Sequence, residues 1–515
     1  MFSAKSEFKG NSIIRSISKN KSNEIFINVS KIKIDPEAAM LLPKYFCKKY
    51  TMLPMKIDNH KKTMDILVKY PLVDISKEDI KFICGYDPAF FYVKESKEIE
   101  DYIDDFLSET EYKLLSDIKV ESYGENSSIE LDSPAIKLVN TIFHEAINLK
   151  ASDIHIEPFK KFYKVRFRID GVIREGFRFN KSSYNSVISR IKVLSKIDIS
   201  EKRLPLDGRL SFKSNNKSWD FRVSTMPTIN GEKIVIRIFQ DEANGESINE
   251  IGLLNDNLNI VKKFLNSKNG IIIVAGPTGS GKSTTLYTLI RQLDLSGQNI
   301  VTIEDPVEQN MEDIIQINVN QTIGFDFASG LRSILRQDPD VIMVGEIRDG
   351  ETANIAMKAA ITGHMVLSTI HTFDCASVID RLLDMNVEPY MIASGLAGII
   401  SQRLVRRICN ICKEEYTPRD FEVNILGIEK INKLSRGLGC KACGYTGYDG
   451  RIGIFEVMEI KDKHKEAILL KRGSSFIRGL SIEKGMTTLE NSCKNLVIKG
   501  ITTIEEMFNT CNLIK

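Results

Sequence analysis

Alternating apolar and polar side chains predict several strands in the second quarter of the chain. Over 165–170, 219–224 and 233–239 the apolar residues occupy every second position. This spacing is typical of strands that bury one face and expose the other. Arg222 and Arg237 fall at polar positions, so the predicted sheet carries arginines on its non-core face.

A different pattern, in which short β-branched runs alternate with helical spacing, begins near residue 258. The run 271–274 is suited to a buried parallel strand, and Leu286, Leu289 and Ile290 follow it at helical spacing. Alternating strands and helices are typical of a parallel sheet covered by helices. The fold is therefore predicted to be α/β, with this parallel domain preceded by an α+β domain.

Polar, turn-rich stretches and changes of pattern set the predicted domain boundaries. A length of 515 residues leaves room for about three or four domains. The predicted segments are a small N-terminal accessory domain (1–110), a linker (111–130), the α+β domain (131–240), a second linker (241–257), the parallel α/β domain (258–403), a cysteine-containing module (404–455) and C-terminal helices (456–515).

Composition and charge narrow the class of protein. A hydrophobic share of 42% and a net charge of +3 are ordinary for a globular protein and do not indicate a general nucleic-acid surface. The longest uncharged stretches, 359–373 and 389–402, are too short and too polar to span a bilayer. No apolar run of a signal peptide follows the mildly basic N-terminus. We therefore expect a cytoplasmic protein whose membrane association runs through partners.

The strongest chemical signal directly follows the run 271–274. Residues 276–283 read G-x-x-x-x-G-K-S, in which glycines let backbone N–H groups wrap phosphate oxygens. Lys282 would reach the β- and γ-phosphates, and the Ser283 hydroxyl would take one place on Mg²⁺. This loop predicts binding of a nucleoside triphosphate. The expected contacts are Gly276, Pro277, Thr278, Gly279, Ser280, Gly281, Lys282, Ser283 and Thr284.

Two glutamates and a histidine lie at the C-terminal ends of later strands in the parallel domain. Glu304 and Glu346 are both candidates for polarising the attacking water, and the residues alone leave the choice open. Gly345 stands where P-loop enzymes usually carry a metal-binding aspartate, so Mg²⁺ would rely on Ser283 and waters, with Glu346 close by. His371, at the end of its strand, is predicted to sense the γ-phosphate. A solvated acidic loop for Glu304 and a structural histidine are the alternatives.

Four of the nine cysteines form two C-x-x-C pairs, Cys409–Cys412 and Cys440–Cys443. This spacing predicts a tetrahedral Cys₄ zinc site, and nothing in it suggests an open coordination position, so the zinc is read as structural. The arginines just before it, at 403, 406 and 407, are interpreted as a solvated or subunit-facing basic strip rather than a nucleic-acid surface.

Taken together, these motifs resemble the secretion superfamily ATPases, the hexameric motors of type II secretion and type IV pilus assembly. The resemblance is strong over about 131–515. It is carried by the phosphate loop and by the stretches 301–306, 331–340, 348–349, 362–364, 371–372, 151–158, 203–209 and 222–225.

The resemblance implies a RecA-like nucleotide domain, a PAS-like α+β domain before it, and an N-terminal domain that docks a partner. It also implies ATP, Mg²⁺ and Zn²⁺ as cofactors, a homohexamer, an inner-membrane platform protein and pilin or pseudopilin machinery. Retraction motors lack the zinc module and the N-terminal extension, so the chain looks like an assembly or export motor. Related N-terminal domains bind cyclic di-GMP through an Arg-Leu-Gly-type motif, and residues 1–130 contain no such motif.

The resulting prediction is an ATPase at the inner face of the cell membrane that drives type IV pilus assembly. Type II secretion or a DNA-uptake pseudopilus is the alternative, with a nucleic-acid translocase and a silent ring scaffold as rivals from other classes. Arg209, Arg222 and Arg237 are predicted to reach the γ-phosphate, from the same chain or across a subunit boundary. A solvated arginine face is the competing interpretation.

Overall fold

The computed structural model describes residues 44–70, 75–93, 134–214, 217–240, 255–427, 433–440 and 442–511, with short stretches between 18 and 42 and between 248 and 253. The predicted linker 111–130, and most of the linker 241–257, lie outside these residues. The chain divides into two compact units, the first made of residues 1–240 and 440–446 and the second of residues 241–439 and 447–515. Among the residues described, no helix has the length and apolar character needed to cross a membrane.

The start of the first unit is a small sheet with two short helices, α1 (Lys44–Lys49) and α2 (Lys77–Cys84). Ser76 and Asp79 cap α2 reciprocally, each side chain accepting a hydrogen bond from the other residue's backbone N–H. The sheet runs in the order β1 (Ser18–Lys19), β2 (Ile25–Phe26), β5 (Asp87–Val93), β4 (Thr63–Lys69) and β3 (Met52–Asp58).

An antiparallel six-stranded sheet forms the rest of the first unit. Its helices are α3 (Pro134–Asn148) and α4 (Tyr184–Leu194), and the Phe143 ring on α3 packs in a T-shaped arrangement with Phe221. The strands lie in the order β8 (Val172–Asn180), β7 (Phe162–Ile169), β6 (Asp153–Pro158), β11 (Gly231–Gln240), β10 (Lys217–Thr228) and β9 (Leu206–Ser214). Along β7, buried and half-buried positions alternate strictly. The prediction of an α+β domain from alternation is confirmed.

The second unit is built on a seven-stranded sheet that is parallel except for its last pair. The order is β14 (Ile315–Asn318), β13 (Ile300–Glu304), β15 (Val341–Val344), β16 (Met365–Ile370), β12 (Gly270–Ala275), β17 (Leu396–Ile408) and β20 (Tyr448–Glu459). All six residues of β12 are buried, as expected for a central strand covered on both faces. The predicted parallel α/β domain is confirmed.

Helices cover this sheet and complete the C-terminal part of the chain. They are α5 (Asn255–Leu265), α6 (Lys282–Ile290), α7 (Phe327–Ile334), α8 (Gly350–Ile361), α9 (Ala376–Asp384), α10 (Pro389–Gly395), α11 (Asp420–Leu426), α12 (Asp462–Leu469), α13 (Ser474–Glu483), α14 (Leu489–Ile498) and α15 (Ile504–Cys511). The two cysteine pairs lie between β17 and β20, beside a two-stranded antiparallel sheet of β18 (Lys413–Tyr416) and β19 (Leu434–Gly437). The cysteine-bearing stretch is therefore an insertion between the last two strands of the seven-stranded sheet, called the nucleotide sheet below.

Candidate nucleotide site and cysteine cluster

The predicted site residues of the second unit meet at one edge of the parallel sheet. The phosphate loop follows β12, Glu304 ends β13, Glu346 comes two residues after β15, and His371 directly follows β16. Because these strands are paired in parallel register, their carboxyl ends lie side by side. This edge is where parallel α/β sheets bind their ligands.

Close backbone approaches explain the glycines of the phosphate loop. Gly281 has a φ of 87° and stands at the N-terminus of α6. A Cβ at Gly281 would lie 2.9 Å from Gln402 Nε2, and one at Gly276 would lie 2.7 Å from the Gln402 carbonyl oxygen. Residues with side chains at these positions would push the loop away from β17. Glycine therefore lets the loop keep its backbone N–H groups at the start of the helix.

Lys282 is held inside the loop by two carbonyl groups. Its Nζ donates hydrogen bonds to the carbonyl oxygens of Gly276 and Pro277, each at 3.0 Å, and the residue is 8% exposed. Burial lowers the pKa of Lys282, while the carboxylate of Glu346 opposes that shift. Ser283 is half-buried in the first turn of α6. Lys282 thus directs its ammonium group back onto the carbonyl groups of its own loop.

The carboxylate of Glu304 is buried and fully engaged by protein donors. Its Oε1 accepts hydrogen bonds from Thr302 Oγ1 at 2.6 Å and from Gln316 Nε2 at 3.2 Å. Its Oε2 accepts one from the hydroxyl of Tyr287. The residue is only 4% exposed. Such a carboxylate is suited to fixing neighbouring groups rather than to holding a water.

Glu346 lies in a more open and more polar setting. Its carboxylate pairs with Arg348, and its Oε2 is 3.5 Å from His371 Nε2. Arg348 also lies 3.9 Å from Asp305. Burial lowers the pKa of His371, and the charge of Lys282 acts in the same direction. The imidazole is therefore predominantly neutral near pH 7 and can accept or donate a hydrogen bond beside Glu346.

Gly345 lies tightly against the strand that ends in Glu304. A Cβ on Gly345 would be 3.3 Å from the Ile303 carbonyl oxygen and 3.4 Å from the Glu304 Cα. A longer side chain such as aspartate would press on β13. Close packing of two neighbouring strands thus accounts for glycine at a position where many P-loop enzymes carry a metal ligand.

The three arginines predicted in the first unit form one row. Arg222 on β10 lies directly opposite Arg209 on β9 and Arg237 on β11. Arg237 Nε is 3.2 Å from Asp153 Oδ1, and the Arg222 guanidinium stacks 4.3 Å from the centroid of the Phe239 ring. Arg209 and Arg237 are exposed, and Arg222 is half-buried. Arg237 is thus paired with Asp153, and Arg222 Nε lies 3.9 Å from Asp220 Oδ2. A contact between this row and a γ-phosphate stays a prediction.

Two of the three arginines before the first cysteine pair have internal partners in the structure. Arg406 pairs with Glu506 at 2.7 Å and stacks 4.0 Å from the centroid of the Tyr448 ring. Arg403 donates to the carbonyl oxygens of Gln402 and Phe373 at 2.8 and 2.7 Å. These two side chains are half-buried and satisfy internal acceptors, so the solvated interpretation is wrong for them. Arg407 is exposed, and the subunit-facing alternative stays a prediction.

Sequence reasoning missed two side chains of the nucleotide site. Tyr287, buried on α6, and Gln316, on β14, both donate to Glu304. The available signal was weak: a tyrosine among apolar residues of a buried helix usually needs a hydrogen-bond partner. Nothing in the spacing identified Glu304 as that partner, because the contact joins separate elements.

The four predicted zinc ligands come together in the structure. The sulfur atoms of Cys409, Cys412, Cys440 and Cys443 lie within 4.8 Å of one another. Four thiolates about 2.3 Å from a tetrahedral zinc would be about 3.8 Å apart, and Cys440 Sγ and Cys443 Sγ are 3.8 Å apart. Backbone N–H groups of Gly439 and Cys440 point at two of the sulfurs, at 3.3 and 3.2 Å. The cluster fits a closed zinc site.

Family models match nearly the whole chain. A model described as "Type II/IV secretion system protein" matches residues 128–509, and one described as "MshEN domain" matches residues 25–112. The first spans both the antiparallel sheet that carries the arginines and the nucleotide sheet. The second falls on the predicted N-terminal accessory domain.

Curated relatives carry names from two systems. The chain is 41% identical over 419 residues to the type II secretion system protein E of Pectobacterium carotovorum subsp. carotovorum, an alignment covering 81% of this chain and 83% of that protein. It is 37% identical over 501 residues to the type IV pilus assembly ATPase PilB of Myxococcus xanthus (strain DK1622), covering 93% of this chain and 88% of that one.

Solved structures share the fold. The pilus retraction motor PilT with bound ADP superposes with a TM-score of 0.51 at 26% identity, covering 72% of this chain and 95% of its own. The Legionella pneumophila ATPase DotB gives a TM-score of 0.54 at 20% identity, covering 72% of this chain and 94% of its own. The second likeness concerns the fold alone.

Proposed function

Because this chain belongs to the type II/IV secretion system protein family and is an ATPase, we propose that it is a homohexameric motor that drives type IV pilus assembly. Two relatives named for pilus assembly support this choice, since their alignments cover 92–93% of the chain, against 73–90% for relatives named for type II secretion. Secretion, or a DNA-uptake pseudopilus, is the alternative, because other relatives carry the type II secretion name.

The observation that carries the hydrolytic proposal is the meeting of Lys282, Glu346 and His371 at one sheet edge. Lys282 would stabilise negative charge on the transferring phosphoryl group. Ser283 would hold Mg²⁺, which neutralises phosphate charge when bound. Glu346, more open than Glu304, would polarise the attacking water, and His371 would sense the γ-phosphate beside it. Glu304 would position the acidic loop.

Coupling to movement is proposed to run through the arginine row. Three guanidinium groups on adjacent strands suit the oxygens of a γ-phosphate, and their release after hydrolysis would supply a domain movement. The motion would pass to an inner-membrane platform protein and then to pilins or pseudopilins. The motor would act in the cytoplasm at the inner face of the membrane. The PAS-like description of residues 131–240 and the partner-docking role of residues 1–110 stay predictions.

Zinc is proposed to be structural. Four convergent thiolates leave no position for substrate, so the ion would cross-link the loops that carry Cys409 and Cys440. Lost metal should therefore weaken folding or assembly rather than the chemical step.

Lys282→Ala tests the enzymatic part of the proposal. Loss of one charge contact to the transferring group costs about a hundredfold or more in rate. Purified variant and wild type would be compared for phosphate release and, by light scattering, for hexamer formation. Near-wild-type hydrolysis by the variant would refute the proposed role of Lys282. DNA or RNA should leave the wild-type rate unchanged, and a several-fold stimulation would favour a nucleic-acid translocase.

The biological system is tested in cells that carry Lys282→Ala at the native locus. Surface filaments would be counted by electron microscopy, and exported proteins would be measured in the culture medium. Loss of filaments with normal export supports pilus assembly. Normal filaments with lost export would assign the motor to secretion instead.

A further inference from the structure

The segment 371–375 carries His371 beyond the carboxyl end of β16 and is fastened at several points. Arg403 Nη2 donates to the carbonyl oxygen of Phe373 at 2.7 Å. The backbone N–H of Cys375 donates to Glu456 Oε1 at 3.0 Å. These two bonds fix the backbone on both sides of Asp374, while the His371 side chain itself remains 49% exposed. The direction of the imidazole therefore depends on how this segment is held.

Arg478, on α13, fastens the same segment from the C-terminal helices. Its Nη1 lies 3.0 Å from Asp374 Oδ2 and 3.5 Å from Glu456 Oε2. The other carboxylate oxygen of Asp374 accepts a hydrogen bond from the backbone N–H of Ser377 at 2.8 Å, in the first turn of α9. One guanidinium is thus shared between a carboxylate of the segment and a carboxylate of β20.

The ion pair between Arg478 and Glu456 matters for stability because Glu456 is fully buried, with 0% of the residue exposed. A buried carboxylate is costly unless it is paired and hydrogen-bonded. Its Oε2 also receives the backbone N–H of Leu489 at 3.4 Å. Among the residues that the structure describes, Arg478 is the one cation that pairs with it. The charge of Glu456 therefore draws Arg478, and with it Asp374, into a fixed arrangement.

We propose that Arg478 is a positioning residue for ATP hydrolysis, one that holds segment 371–375 against Glu456 and so keeps His371 beside Glu346. This inference rests on the role proposed above for His371. It makes α13 part of what sets the geometry of the catalytic edge, although Arg478 lies more than a hundred residues from His371 in sequence. A change in the position of α13 would therefore alter the distance between His371 Nε2 and Glu346 Oε2, which is 3.5 Å.

Arg478→Met removes the charge and keeps most of the aliphatic stem. The turnover number should fall about tenfold, with KM for ATP changed by less than about twofold, because a misplaced catalytic group affects the chemical step more than binding. Arg478→Lys should give an intermediate rate, since a single ammonium group cannot meet both carboxylates as a guanidinium fork does. Arg472→Met is the matched control, because this exposed arginine stacks on Phe476 and lies outside the network.

The deciding measurement is the double variant Arg478→Met/His371→Ala. If Arg478 acts through His371, the double variant should turn over at the rate of His371→Ala alone. The inference is wrong if the double variant is slower than His371→Ala by the same factor that Arg478→Met loses on its own. It is also wrong if Arg478→Met turns over at the wild-type rate, or if Arg478→Met is slow while His371→Ala is fully active. If thermal melting shows that Arg478→Met does not fold, Arg478→Lys carries the same comparison. The ATPase assignment is tested separately by Lys282→Ala.

Discussion

The hydroxyl of Tyr287 donates a hydrogen bond to the buried carboxylate of Glu304. The same oxygen accepts the backbone N–H of Glu308 at 3.2 Å. Tyr287 lies on α6, little more than one turn beyond Lys282, so it joins the phosphate-loop helix to the acidic loop after β13. Burial, reinforced by the hydrogen bond to Glu304, raises the pKa of Tyr287. The phenol therefore stays a neutral donor throughout the physiological range.

Tyr287→Phe should damage both stability and turnover. A hydrogen bond to a charged acceptor contributes about 1.5–3 kcal/mol, and its loss also leaves part of a buried carboxylate without a partner. We expect a lower melting temperature and a turnover number reduced about tenfold, since the loop carrying Asp305 is less well fixed. Tyr390→Phe, at a position that is 60% exposed, is the control. If both variants have the same melting temperature and turnover number, Tyr287 has no role in the site.

Exchanging each glutamate for glutamine separates the roles of Glu346 and Glu304. Glu346→Gln should bind ATP and fail to turn over, because it removes the charge that would polarise water while keeping the shape. Glu304→Gln should retain more activity, since its contacts are structural, although its amide would face the hydroxyl donors that now surround it. Nucleotide binding and phosphate release would be measured on both. An active Glu346→Gln beside an inactive Glu304→Gln would reverse the assignments.

Much of the fold follows from local pattern. Residues 165–170 can be recognised as a strand because every second residue is apolar, and residues 271–274 because the whole run is apolar and β-branched. The cysteine pairs were equally legible, since ligand type and spacing are set by the metal. β17 and β20 were harder to assign. They flank an insertion: β17 pairs in parallel with the central strand β12, whereas β20 joins the sheet through antiparallel pairing with β17.

The sequence predicted the site residues that lie at the ends of strands, but not the contacts that these residues make. Glu304, Glu346 and His371 each lie at or just beyond the end of a strand, so a parallel sheet brings them to one edge. The contacts that distinguish them come from elsewhere in the chain. Gln316 reaches Glu304 from the neighbouring strand β14, and Arg478 reaches Asp374 from more than a hundred residues away. Such pairings depend on tertiary packing, which residue spacing does not encode.

Elemental analysis should find one zinc ion per chain in protein purified without chelator. Cys409→Ser should lose the metal and lower the melting temperature, because binding free energy at a structural zinc site is also folding free energy. Nucleotide affinity of the folded fraction should stay unchanged. Cys47→Ala, outside the cluster, should keep the metal. Protein that contains no zinc, or a Cys409→Ser variant with full metal content, would refute the site.

The arginine row allows a prediction that separates a solvated face from a phosphate-sensing one. Arg222 is its central member, with Arg209 and Arg237 directly opposite on the two neighbouring strands. Stacking on Phe239 gives the Arg222 guanidinium a fixed direction, whereas Arg237 is drawn toward Asp153. Arg222 also has a carboxylate nearby, since its Nε lies 3.9 Å from Asp220 Oδ2, against 3.2 Å between Arg237 Nε and Asp153 Oδ1. The ring stacking and the central place in the row make Arg222 the first choice for substitution.

Arg222→Ala should reduce turnover by about a hundredfold while leaving the melting temperature and ATP binding largely intact, because a charge that meets the γ-phosphate acts in the transition state. Arg222→Lys should recover little, since an ammonium group lacks the planar fork. Arg178→Ala is the control, as this arginine lies on β8 of the same sheet, outside the row, and pairs with Glu175 at 2.8 Å. All variants would be assayed as hexamers, so that a subunit-boundary contact is preserved. If Arg209→Ala, Arg222→Ala and Arg237→Ala all hydrolyse ATP at the control rate, the row is solvated surface and the motor must couple hydrolysis to movement by other residues.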